Sequence, residues 1–218
     1  MAIIALSHSI KSNPSASRSA GLAVSVALAV WLALVVALGA GGVFLVPPGE
    51  PPLALVLGVA VPLIAFFGAY RLSDSFRNLV LTADLRFIAG VQAWRVLGFT
   101  FIALYVYGIL PGMFALPAGL GDMAVGLTAP WIISALIRRP DFAKSKIFLG
   151  WNLFGILDLI VAIGTGGLTA VLANSSPGEI TAAPMTELPL LLVPGYLVPL
   201  LLMFHATALL QARRLNMR

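Results

Sequence analysis

Six polar side chains interrupt long apolar stretches of this sequence, and these residues are the best candidates for chemistry. They are Arg95, Asp122, Asp158, His205, Gln92 and Asn152. An ionised side chain near the centre of a bilayer costs about 2.5 to 3.5 kcal/mol on insertion scales, so each needs a partner or a function. We predict an internal polar pocket that binds a proton or a small polar or anionic solute, in which Arg95 fixes a negative charge.

The charges within the apolar stretches do not balance. At a rise of 1.5 Å per residue, Arg95 lies about 12 Å from the cytoplasmic end of the third predicted span, and Asp158 lies about 16 Å from the cytoplasmic end of the fifth. The two side chains therefore lie at a similar depth in the membrane. Two carboxylates then face one arginine, and the second acid needs a proton, His205 or water. The structural alternative is that these side chains only hold helices together.

The run Gly119, Leu120, Gly121, Asp122 resembles the Gly-x-Gly-Asp pattern of aspartyl intramembrane proteases and prepilin peptidases. In those families, paired aspartates activate a water molecule between them. The resemblance covers four residues and implies Asp122 as one catalytic acid. Its partner would be Asp84 in the prepilin order, or Asp158 in the reverse of the presenilin-like order. A membrane-embedded enzyme is therefore our third hypothesis.

Metal and haem sites have weaker support. Asp122, Asp158 and His205 supply suitable ligand types, but they do not have a recognised metal-binding spacing. The only other histidine is His8 in the N-terminal tail, so a bis-histidine haem within the membrane is excluded. A haem with His205 as its single axial ligand is the remaining haem arrangement. The sequence leaves the cofactor unknown, and we expect no metal.

Composition identifies the class of protein. Of the 218 residues, 60% are hydrophobic and 10% are charged, and the mean hydropathy is +1.03. A soluble domain carries roughly 25% charged residues, so this chain cannot form a soluble surface. Cysteine is absent, which excludes disulfides and thiolate chemistry.

The apolar runs predict an all-α bundle of six transmembrane helices. We expect an N-terminal tail over residues 1–20, one membrane domain over 21–210 and a basic tail over 211–218. The predicted spans are 21–46, 53–70, 87–110, 118–137, 147–168 and 188–210.

Twelve of the thirteen basic residues flank these spans at alternate ends. The positive-inside rule then places both chain termini in the cytoplasm, with anionic lipid headgroups of the inner membrane as partners. Nucleic acid is not expected, because the charges form no single stripe. Residues 71–86 have one apolar helical face and predict a cytoplasmic amphipathic helix between spans two and three.

The first span carries a ridge of small residues at every fourth position. It consists of Ser25, Ala29, Ala33, Ala37 and Gly41. Such a ridge allows another helix to pack closely, within the bundle or from a partner protein. The span could alternatively belong to a signal peptide cleaved near Ala37-Leu38-Gly39, although its length exceeds the usual h-region.

Two functional hypotheses therefore lead the third, enzymatic one. The first is a small membrane carrier or binding protein that uses the intramembrane polar residues. The second is an accessory or structural subunit of a larger membrane complex, in which the same residues stabilise the fold. An enzyme is the less favoured class.

Overall fold

The computed structural model describes residues 14–174 and 179–217, and this part of the chain is helical throughout its regular elements. The eight α-helices are α1 Pro14–Ala40, α2 Leu53–Leu72, α3 Asp74–Thr82, α4 Leu85–Gln92, α5 Phe99–Val106, α6 Gly112–Arg138, α7 Lys146–Val171 and α8 Val198–Asn216. Lys11 and His8 of the predicted N-terminal tail, and Arg218 of the basic tail, lie outside the described residues.

Among the described residues, six helical segments are long and apolar enough to cross a membrane, as expected of a multi-pass membrane protein. They are Gly21–Ala40, Leu53–Leu72, Leu85–Val106, Gly112–Arg138, Lys146–Val171 and Val193–Asn216. The predicted division into tails and one membrane domain stays a prediction.

Two of the six segments contain irregular turns. The third joins α4 to α5 through a 3₁₀ turn, Ala93–Gly98, and the sixth begins with a π-helical turn, Val193–Leu197. Pro194 has no backbone N–H and cannot complete the ordinary helical ladder, which explains the distortion. The 3₁₀ turn packs directly against α6 at Gly126. A Cβ atom at Gly126 would overlap the backbone of Val96, so this close approach requires glycine.

Side-chain caps define the short elements at one end of the bundle. The hydroxyls of Ser73 and Ser145 accept backbone N–H groups at the starts of α3 and α7, and Asp84 does the same for α4. Hydrogen bonds from Arg86 hold the pKa of Asp84 at about 2. Within the predicted amphipathic segment 71–86, residues 71–72 end α2, α3 spans Asp74–Thr82, and residues 85–86 begin α4. The position of α3 at a membrane interface remains a prediction.

The bundle has two chemically different ends. At the end that carries the basic loops, hereafter the basic end, Ile132, Phe142 and Phe148 share an apolar cluster with the C-terminal part of α8. Gln211 donates to the carbonyls of Val80 and Ala83 there, at 2.8 and 2.9 Å. The loops after α1, α5 and α7 lie at the other end, hereafter the opposite end.

The first helix packs on the bundle through Trp31 and Val35, and the five predicted ridge residues face away. Trp31 contacts Tyr196 with ring centroids 4.6 Å apart, and Val35 is buried beside Leu191. The five ridge positions predicted for close packing are all exposed: Ser25, Ala29, Ala33, Ala37 and Gly41. The described residues of the bundle therefore leave this ridge uncovered.

The two ends predict a labelling pattern that tests the orientation. The chain has no cysteine, so single substitutions at exposed acidic residues report accessibility without a background signal. With the basic end in the cytoplasm, Glu50→Cys should react with a membrane-impermeant maleimide in intact cells. Asp141→Cys should react only after permeabilisation, and the reverse pattern would refute this orientation.

Candidate functional site

A buried polar cluster lies where the four C-terminal membrane segments meet. Its centre is Arg95 on the 3₁₀ turn of the third segment, and its acids come from α6 and α7. The structure brings all six residues of the predicted pocket into one hydrogen-bonded group. They are Arg95, Asp122, Asp158, His205, Gln92 and Asn152. The binding role assigned to them from the sequence stays a prediction.

Each nitrogen of the Arg95 guanidinium donates to an acceptor of the protein. Nε lies 2.6 Å from Oδ1 of Asp122, and Nη2 donates to Oδ2 of Asp158. Nη1 lies 3.0 Å from Nε2 of His205 and 3.4 Å from the carbonyl oxygen of Gly155. An anionic solute would have to displace one of these acceptors, so the geometry gives little support to direct anion binding by Arg95.

The hydrogen bonds define the tautomer of His205. Arginine has only donors, so Nε2 of His205 must accept from Arg95 through its lone pair. Asn152 Nδ2 donates to the Phe148 carbonyl at 2.8 Å, which leaves Asn152 Oδ1 as the acceptor for the proton on His205 Nδ1, 2.9 Å away. His205 is therefore neutral in this arrangement and extends the network to Asn152.

Burial makes the charge count of the cluster important. The side chains of Arg95 and Asp158 are 2% and 5% exposed, whereas that of Asp122 is 16% exposed. No ion pair joins the cluster to another charged residue among those the structure describes. One cation faces two carboxyl groups, so a proton or an added cation is needed for neutrality, because an unpaired buried charge is costly.

An apolar cavity of about 500 Å³ adjoins this cluster and extends to the loops of the opposite end. Val59 of α2, Phe101 of α5 and Leu159 of α7 contribute to its wall, together with prolines from the loop after α1. Asp122 is the only ionisable side chain among the described residues that line it. Its Oδ1 accepts from Arg95, and no described residue donates to its Oδ2.

Glycines provide the space for the polar side chains, and sequence reasoning missed this role. A Cβ atom at Gly155 would overlap the His205 ring, and one at Gly121 would overlap the Asp158 carboxylate. Gly155 also accepts from Arg95 through its carbonyl. Its position three residues from both Asn152 and Asp158 places it on their helical face, a signal that was available in the sequence.

The Gly-x-Gly-Asp run has a packing explanation in this structure. Gly119 lies against Gly98 and Ile102, and Gly121 makes room for Asp158. Asp122 and Asp158 both accept from Arg95, whose guanidinium occupies the space between them where the resemblance would require a water molecule. The geometry therefore does not favour the protease interpretation.

The same arrangement gives no support to a metal site. Within residues 14–174 and 179–217, no group of three His, Cys, Asp or Glu side chains is placed to hold a metal ion. The Nε2 lone pair of His205 is used by Arg95, and Nδ1 contacts Asn152.

Comparison with protein families gives one match. The sequence model described as "Domain of unknown function (DUF8737)" matches residues 51–213. The chain belongs to this family. The matched range contains the complete polar cluster, four whole membrane-spanning segments and all but the last three residues of the sixth, and α1 precedes it. Searches of curated proteins and of solved structures give no match.

The contact between Gly155 and His205 predicts different effects for two alanine substitutions on α7. Gly155→Ala should lower the free energy of unfolding by about 1 to 3 kcal/mol, because the added methyl group displaces the imidazole. Gly150→Ala is the matched control, since a Cβ atom there meets nothing within 4 Å. SDS titration in mixed micelles measures both, and equal stability of the two variants would contradict the assigned packing.

Proposed function

We propose that the protein is a small carrier or binding protein of the cytoplasmic membrane, and that its ligand occupies the apolar cavity. The observation that carries this proposal is the cavity itself, whose apolar wall ends at one carboxyl group connected to a buried arginine. Its volume of about 500 Å³ suits a small molecule, because ligand pockets usually measure about 300 to 1,000 Å³.

The composition of the wall supports a mainly apolar ligand with one polar group. Apolar side chains supply most of the binding energy in such pockets, and a few polar groups set the orientation of the ligand. Asp122 provides that polar contact in this site. Arg95 keeps its protein partners and positions Asp122, instead of holding an anionic solute as its residue type predicts.

The proposal includes an orientation with the basic end in the cytoplasm and the cavity toward the outer half of the membrane. Basic residues at one end support it through the positive-inside rule, and anionic headgroups then contact that end. A carrier would alternate the access of the site between the two sides. The broken third and sixth segments adjoin the cluster, as irregular helices do at many transport sites.

Filling the cavity tests the proposal. The protein is purified from native membranes in mild detergent, and bound small molecules are extracted and quantified by mass spectrometry. We expect about one molecule per chain in the wild type and a strong loss in Ala162→Phe, because Ala162 lines the cavity. Val161→Phe is the matched control, since Val161 is the adjacent, outward-facing residue of α7. Equal recovery from both variants, or no bound molecule in the wild type, would refute the cavity as a binding site.

A subunit role is the second candidate, and the exposed small-residue ridge of α1 favours it. The residues at positions 25, 29, 33, 37 and 41 are exposed in the described part of the chain, so a partner helix has access to them. The same purification should then yield a stoichiometric protein partner. Ala33→Leu should release that partner and Val30→Leu should retain it, because Val30 is exposed but lies off the ridge. Retention by both variants would exclude the ridge as the contact.

A further inference from the structure

We infer that the ligand of the cavity is a lipophilic monocation, such as a protonated amine with an apolar body, and that it displaces a proton from Asp122. This inference rests on the proposed binding function and specifies the class of ligand. It follows from combining the wall of the cavity with the charge count of the cluster behind it.

The wall determines the body of the ligand. Described residues from α2, α5 and the start of α8 contribute only apolar side chains, such as Val59, Phe101 and Val198. An anionic or strongly polar molecule would lose its hydration without compensating hydrogen bonds along most of its surface. A single polar group placed at Asp122 avoids this cost.

The free oxygen of Asp122 determines the kind of polar group. Oδ1 is held by Arg95 at 2.6 Å, so Oδ2 is available to accept a hydrogen bond from a ligand in the cavity. Once Asp122 has lost its proton, Oδ2 accepts and does not donate, so this state of the site selects a ligand with an N–H or O–H group. A donor that carries a positive charge makes the stronger bond.

The charges around Asp122 allow a cation to take the place of a proton. The titratable and charged groups that face it are Arg95 from the third segment, Asp158 from α7 and, through Arg95, His205 from α8. With His205 neutral, an empty site is balanced by one arginine, one carboxylate and one carboxylic acid. The accessible Oδ2 places the proton on Asp122.

Exchange of a proton for the cation conserves the charge of the site. When an ammonium ion binds, the O–H bond of Asp122 breaks and the proton leaves to water. Arg95 and the ligand then contribute two positive charges against the two carboxylates of Asp122 and Asp158. One cation enters and one proton leaves, so neither state holds an unpaired buried charge.

A matched pair of probes tests this exchange. 1-Adamantylamine and 1-adamantanol have the same apolar cage, and the amine is protonated near neutral pH. Calorimetry of the full-length protein in lipid nanodiscs should show roughly ten- to hundredfold tighter binding of the amine. Titrations in buffers of different ionisation enthalpy should show release of about one proton per amine and none per alcohol.

The charge count predicts that Asp158 matters although it does not line the cavity. Asp122→Asn and Asp158→Asn should each reduce the ratio of amine to alcohol affinity and abolish proton release, because each leaves a site that is already neutral. Asp141→Asn is the control, since that carboxylate is exposed and pairs with Lys144. Gel filtration checks that each variant is folded. If a variant cannot be purified, the number of protons that the wild type releases per bound amine tests the inference by itself.

The outcomes separate this inference from the proposed function. Alcohol binding that is lost in Ala162→Phe, together with an amine that binds no tighter or releases no proton, would refute the cation and retain the cavity as a binding site. An unchanged amine preference in Asp158→Asn would refute the shared charge count. Absence of binding by both probes in the wild type would overturn the inference and count against the proposed function.

Discussion

One buried arginine organises the C-terminal two thirds of this membrane bundle. Arg95 contacts acceptors from three other membrane segments, so its guanidinium fixes their relative rotation as well as their depth. Removal of one partner from a buried ion pair commonly costs about 3 to 5 kcal/mol, because it leaves a charge without compensation. A helix arrangement that separates Arg95 from its acceptors would incur this cost, so the ion pairs help to specify which helices are neighbours. The same arginine also holds Asp122 at the end of the cavity.

Close backbone approaches make this arrangement of charges possible. Gly126 admits the 3₁₀ turn that carries Arg95, and Gly155 admits the imidazole of His205. Small residues are the usual means by which membrane helices approach closely, since no hydrophobic effect drives them together in lipid. In this protein the glycines make room for polar groups, and the 3₁₀ turn between α4 and α5 carries the buried Arg95. The close packing at these glycines therefore makes the buried polar contacts possible.

Much of the fold was predictable because the bilayer imposes a simple length and hydropathy rule. Six spans followed from it, and Arg95, Asp122, Asp158 and His205 were conspicuous because ionisable residues are expensive in lipid. Their mutual contact was not predictable, because depth says nothing about helix rotation. The cavity was also hidden, since its wall combines prolines at 47 and 48 with residues far along the chain, such as Met185. The sequence shows that the ridge on α1 consists of small residues, but it does not show which way the ridge faces. A small-residue ridge has the same pattern whether it is exposed to lipid or packed against another helix.

The neutral tautomer of His205 links α8 to the acid of α6 through their shared contact with Arg95. Nε2 cannot hold a proton and accept from Arg95 at the same time, so these two states exclude each other. The guanidinium is a rigid plane that touches His205 on one side and Asp122 on another. A displacement of the imidazole would therefore move the guanidinium, and with it the hydrogen bond that Asp122 accepts beside the cavity.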